Sequence, residues 1–249
     1  MTQKNIKYIS FILILLFSAS SYAATKGVAG DIAEMLSDSS NTNRVLQLLV
    51  LITILSASPT ILIMVTSFVR ISIVFSFLRS ALGLQQTPPN QVLISLAMFL
   101  TLFIMSPVME ESYTYGIKPW VDEQLTEAEA FPKIVTPFKK FMISNTRQKD
   151  LDLFIGIAKL DPKISNPEIP FSVVTPAFMI SELRRAFEIG FLIFLPFLII
   201  DILVASLLMA MGMMMMPPVM IALPFKIIFF VVIDGWYLIA GSLVKSFHL

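Results

Sequence analysis

A chain of 249 residues that is 56% hydrophobic and only 14% charged, with a mean hydropathy of +0.82, is too apolar for an ordinary soluble domain. Its net charge of +1 gives no case for nucleic-acid binding, and the absence of cysteine removes disulfides, thiolate zinc sites and cysteine nucleophiles. With one histidine, the penultimate His248, metal centres on nitrogen or sulfur ligands are excluded too, as are the common nucleophile–base pairs.

Residues 1–23 read as a secretory signal peptide. Lys4 and Lys7 supply the basic start, Tyr8–Phe17 a short apolar core, and Ser21-Tyr22-Ala23 the small residues of a cleavage site at Ala23. Cleavage there puts Ala24 on the far side of a bacterial inner membrane. Residues 24–44 follow as a polar N-terminal segment carrying Asp31, Glu34 and Asp38.

Four apolar runs organise the rest. Val45–Val69 and Val92–Met109 form a first hydrophobic helical hairpin over 45–109; Ile189–Met211 and Val219–Val244 form a second over 189–249. Each run has about the length a helix needs to cross a bilayer. Prolines within them, among them Pro59, Pro107, Pro196 and Pro224, demand neighbours that satisfy the freed carbonyls. The 70–91 connection carries Arg70 and Arg79 and no acid, which marks it as cytoplasmic and the two arginines as cytoplasmic-side anchors. Ser72, Ser76 and Ser80 recur every four residues there, a small-residue face suited to close helix packing. Residues 110–188 then form a periplasmic helical domain with 10 Lys+Arg against 12 Asp+Glu. Trp120–Phe131, Lys133–Arg147 and Asp150–Leu160 are its expected helices, punctuated by proline, and Thr175-Pro176 opens the helix into the third run. The fold class is therefore an all-α membrane protein.

Between the third and fourth runs lies the most unusual stretch. Seven of the 15 methionines fall in Met209–Met220, where Gly212 and Pro217-Pro218 dictate a sharp connection. Connections between spans normally reach water and are polar; this one is apolar and deformable. It reads either as packing filler or as a soft plug around something variable in shape. Asp201, Lys226 and Asp234 sit inside the flanking runs, where an isolated charge costs roughly 2.5–3.5 kcal/mol on insertion scales. Counted from Met215, Asp201 is 14 residues back and Lys226 11 forward, so a hairpin brings them to similar depth as a candidate ion pair. Asp234 needs another partner. Such charges pin helices together or line an ion path. No nucleotide loop, nucleophile elbow or cofactor motif occurs, so no enzymatic activity and no cofactor are expected.

Two blocks of the sequence resemble the FliP family of flagellar export-gate proteins in bacterial type III secretion. The first runs from Ser58-Pro59-Thr60 to Val108 and includes Thr66-Ser67-Phe68-Val69-Arg70-Ile71 and Pro88-Pro89-Asn90-Gln91-Val92. The second runs from Thr175-Pro176-Ala177-Phe178 through Ser181-Glu182-Leu183, Met211-Gly212-Met213-Met214-Met215 and Pro217-Pro218 to Asp234-Gly235-Trp236. The resemblance implies a subunit that self-associates into a ring, a pentamer, in a helical assembly with FliQ- and FliR-type subunits. That assembly sits in the inner membrane at the flagellar basal body and passes unfolded flagellar export substrates. It also implies that Met213, Met214 and Met215, flanked by Met211 and Met216, form a gasket closing the pore; Met216 stands where a small aliphatic residue is expected. An injectisome homologue of the same superfamily and an ion- or proton-conducting membrane protein are the alternatives.

Overall fold

The computed structural model describes residues 48–53, 56, 60–61, 63–84, 86–161, 164–165, 168–213 and 216–247, and the signal peptide, its cleavage site at Ala23 and the 24–44 segment lie outside them. The chain divides into two units, 1–59 and 60–249. In the first, residues 48–53 are helical, and the hydroxyls of Thr53 and Ser56 donate back to the carbonyls of Leu49 and Ile52.

The second unit is helical, with no strand among the described residues: α1 (Phe68–Ala81), α2 (Asn90–Ser112), a π-helical turn (Tyr113–Ile117), α3 (Lys118–Val121), α4 (Glu127–Asn145), α5 (Gln148–Ile157), α6 (Phe171–Ala210), α7 (Pro218–Val232) and α8 (Gly235–Lys245). The spine is α6, 40 residues and so about 60 Å long, against which α1, α4, α5 and α7 pack. Its first half is buried along one face through Val174, Ala177, Phe178, Ser181, Glu182 and Ala186. The second half is apolar apart from Asp201 and Ser206 and exposes Phe191, Leu192, Ile199, Leu203 and Leu207, as a helix meant for lipid or for other protein does.

Several sequence expectations change here. The 70–91 connection carries α1, whose buried face is Ile71, Val74, Phe75 and Leu78, at helical spacing, set against α6. Ser76 and Ser80 are exposed and Ser72 is half-buried, so the serines lie outside that face. Boundaries at 109/110 and 188/189 fall inside continuous helix, since α2 runs on through the π turn to Val121 and α6 begins at Phe171 rather than at Thr175-Pro176. Helix α4 passes straight through Pro132 and Pro137; its start is fixed upstream, where the Glu129 carboxylate accepts from the Thr126 N–H and hydroxyl.

Asn90–Val121 and Phe171–Ala210 are the two described helices long and apolar enough to cross a membrane. A third candidate is the pair α7 and α8, bent by 62°. The fourth apolar run is thus broken at Asp234 and not at Pro224. Asp234 takes a left-handed conformation (φ 52°), and Gly235 lies where an added Cβ would stand 2.1 Å from the Phe230 ring.

Candidate functional site

Helix α6 stops at the methionine stretch because Gly212 adopts φ +72° and reverses the chain. The Met213 N–H reaches back to the Leu208 carbonyl (2.9 Å) and the Gly212 N–H to that of Met209 (3.1 Å), a Schellman closure that satisfies the helix end internally. Pro217 then caps α7, whose first turn accepts Pro218 without losing a bond. Met209, Met211, Met213, Met216 and Met220 are between 44% and 69% exposed. Met214 and Met215 lie outside the described residues. Just beneath the turn, Val204 and Leu208 of α6 close on Ala222 of α7 and pin the two helices together.

The pair Asp201 and Lys226 lies one layer deeper, ten residues before Met211 and so about 15 Å along α6 from the turn. Lys226 Nζ is 2.6 Å from Asp201 Oδ2 and also donates to the Ala81 carbonyl at 3.2 Å. That carbonyl ends α1, where the helix dipole favours a cation. One ammonium therefore ties α7 to α6 and to α1. Asp201 Oδ1 is buried with no partner among the described residues, while Asp234 is exposed and has no side-chain cap bond. It does not join this cluster; it marks the bend between α7 and α8.

A second charged centre was not read from the sequence as one. Arg70, expected as a cytoplasmic-side anchor, is completely buried. Its Nε donates to Glu182 Oε2 (2.8 Å), and Nη2 donates to Glu182 Oε1. Nη1 donates to the carbonyl and hydroxyl of Ser246 at 3.0 and 2.8 Å, and the guanidinium lies 3.7 Å from the centre of the Phe247 ring. Glu182 is equally buried. Burial pushes the arginine pKa down, against the pull of the Glu182 carboxylate. One side chain thus joins α1, α6 and the turn after α8. The signal was present: Val174, Phe178, Glu182, Ala186 and Gly190 share one face of α6, and a lone carboxylate on an apolar stripe calls for a buried partner. Arg79 differs, being half-buried; it donates to Asn90 Oδ1 and clips the end of α1 to the start of α2.

A third polar knot fixes α5 to α6. Arg147 grips Asp150 in a bidentate pair (2.9 and 2.8 Å), the Ser181 hydroxyl donates to Asp150 Oδ2, and the Arg147 N–H donates to Ser181 Oγ. Although burial pushes the Asp150 carboxyl up, these bonds from Ser181 and Arg147 outweigh it and hold the group below the usual aspartate range. Among the described residues no group of acidic or histidine side chains is arranged to hold a metal.

The profile of the FliP family matches residues 51–243. The chain is similar to the flagellar biosynthetic protein FliP of Caulobacter vibrioides, 59% identical over 207 residues covering 83% of this chain and 78% of the relative. Identity to the protein of the same name from Bacillus subtilis is 54% over 211 residues, 85% of this chain and 96% of the relative. For that of Rhizobium meliloti it is 47% over 244 residues, 97% and 99% of the two chains.

Proposed function

This chain belongs to the FliP family, and on that premise we propose that it is a subunit of the flagellar type III protein export gate. It acts as a conduit component and not as a catalyst, in the inner membrane at the flagellar basal body. Copies associate into a pentameric ring, join FliQ- and FliR-type subunits, and together enclose a pore for unfolded flagellar proteins. The methionine turn closes that pore at rest.

The observation that carries this reading is the α6–α7 turn. The end of α6 is closed by its own Schellman bonds, and the turn presents a dense set of exposed thioethers between two apolar helices. A conduit for polypeptide has to accommodate many side-chain shapes while excluding water and ions when empty. Hydrophobic constrictions gate by dewetting, and methionine adds three rotatable bonds to such a barrier. Asp201 and Lys226 support the same turn from below by fixing the angle between α6 and α7.

Replacing Met213, Met214 and Met215 with alanine is expected to raise resting ion conductance across membranes that hold the complete complex. Unchanged conductance with the complex fully assembled counts against the closing role.

A further inference from the structure

We infer that the methionine turn is also a site of oxidative modification, at which conversion of thioethers to sulfoxides opens the constriction; the opening, though not the modification, rests on the gate reading above. The chain has no cysteine, so thioether sulfur is the only sulfur that two-electron oxidants can attack. The described methionines span a range of access, with Met98, Met109 and Met179 half-buried and Met64 39% exposed. Met105 and Met142 are 0% exposed in the core of the second unit, whereas Met209, Met211, Met213, Met216 and Met220 are 44–69% exposed.

Chemistry turns that difference into selectivity. With hydrogen peroxide, a sulfur lone pair attacks one peroxide oxygen, the S–O bond forms as the O–O bond breaks, and the departing hydroxide takes the remaining proton to leave as water. Methionine loses two electrons and the peroxide gains them; hypochlorous acid transfers its oxygen with the same balance, releasing chloride and a proton. Each event replaces a soft apolar sulfur with a strongly dipolar hydrogen-bond acceptor. A gate that works by dewetting holds only while its wall is apolar, so several sulfoxides on one collar admit water where none stood before. Leucine or phenylalanine would build an equally apolar collar without this property. The backbone need not move, since the Schellman closure around Gly212 uses no side-chain atom. Methionine sulfoxide reductases reverse the change.

The test uses the full chain in its complete complex, reconstituted in phosphatidylethanolamine–phosphatidylglycerol vesicles and exposed to hydrogen peroxide. Peptide mass spectrometry is expected to show oxygen uptake in the turn at least about tenfold faster than at Met105 and Met142. Ion leak is expected to rise in step and to fall after reductase treatment. A variant with leucine at all seven methionines of 209–220 is expected to remain closed under peroxide. Uptake no faster in the turn than at Met105 and Met142 overturns the modification site. Sulfoxides in the turn without leak overturn the switch, and the alanine variant then separates the two ideas. If it leaks, the gate reading stands alone; if it does not, both fall.

Discussion

The buried contact between Arg70 and Glu182 gives the sharpest test of how this chain holds its shape. Removing one partner of a buried, hydrogen-bonded pair costs about 3–5 kcal/mol, because the survivor is left charged in an apolar setting. On a net stability of about 5–15 kcal/mol, that shifts the folded-to-unfolded ratio by about two to three and a half decades. The two single variants should not be equal. In Glu182→Ala the orphan is a guanidinium, which cannot shed its proton and has only the Ser246 acceptors and the Phe247 ring left. In Arg70→Ala the orphan is a carboxyl group, which can neutralise itself by taking up a proton. Glu182→Ala is therefore expected to be the more damaging. The double variant Arg70→Met/Glu182→Leu leaves no orphan charge, and should recover much of the loss despite freeing the Ser246 carbonyl. The assay is membrane abundance of the full-length protein together with its thermal aggregation midpoint in detergent. A Glu182→Ala protein that melts with the parent, or a double variant worse than the two singles combined, refutes the argument.

Gly190→Ala places a Cβ 2.5 Å from the Phe77 ring and should wedge α1 from α6 at a cost of about 1–3 kcal/mol, relieved by adding Phe77→Leu; an unshifted melting midpoint would show that the contact yields freely. Reversing Asp201 alone to lysine should impair assembly, while the exchange Asp201→Lys/Lys226→Asp recovers only part of it, because the new carboxylate faces the Ala81 carbonyl; equal assembly of both variants on native gels removes the pair from the account. The Asp150 carboxyl, held below its ordinary value when folded, contributes stability that is present above the usual aspartate pKa and is lost as pH falls through the folded value. Asp150→Asn should flatten that acid limb of a melting-point profile, and an unchanged acid limb would show that the group does not control it.

How far the sequence could be read depends on which residues carried the signal. Asp201 and Lys226 meet because hairpin arithmetic needs only the position of the turn, and Gly212 with Pro217-Pro218 states that position plainly. The long apolar helices were visible for the same reason: hydropathy over a span of about 20 residues is a strong signal. Arg70 was misassigned because a charge rule treats every arginine near an apolar run as a surface anchor, and it knows nothing of a partner 112 residues away. Only the helical face of α6, with Glu182 alone among Phe178, Ala186 and Gly190, pointed to it. In the last run Pro224 lies inside α7, and the break falls at Asp234-Gly235, the stronger turn signal. A proline inside a helix removes one bond that a neighbour or solvent can replace. The chain turns where Asp234 takes a left-handed conformation, and Phe230 occupies the space a side chain at 235 would need. Local chemistry therefore fixed the turn and helix ends, while the choice of buried face was set by distant partners. That division explains why the methionine turn was legible and the charged centre that supports α6 from within was not.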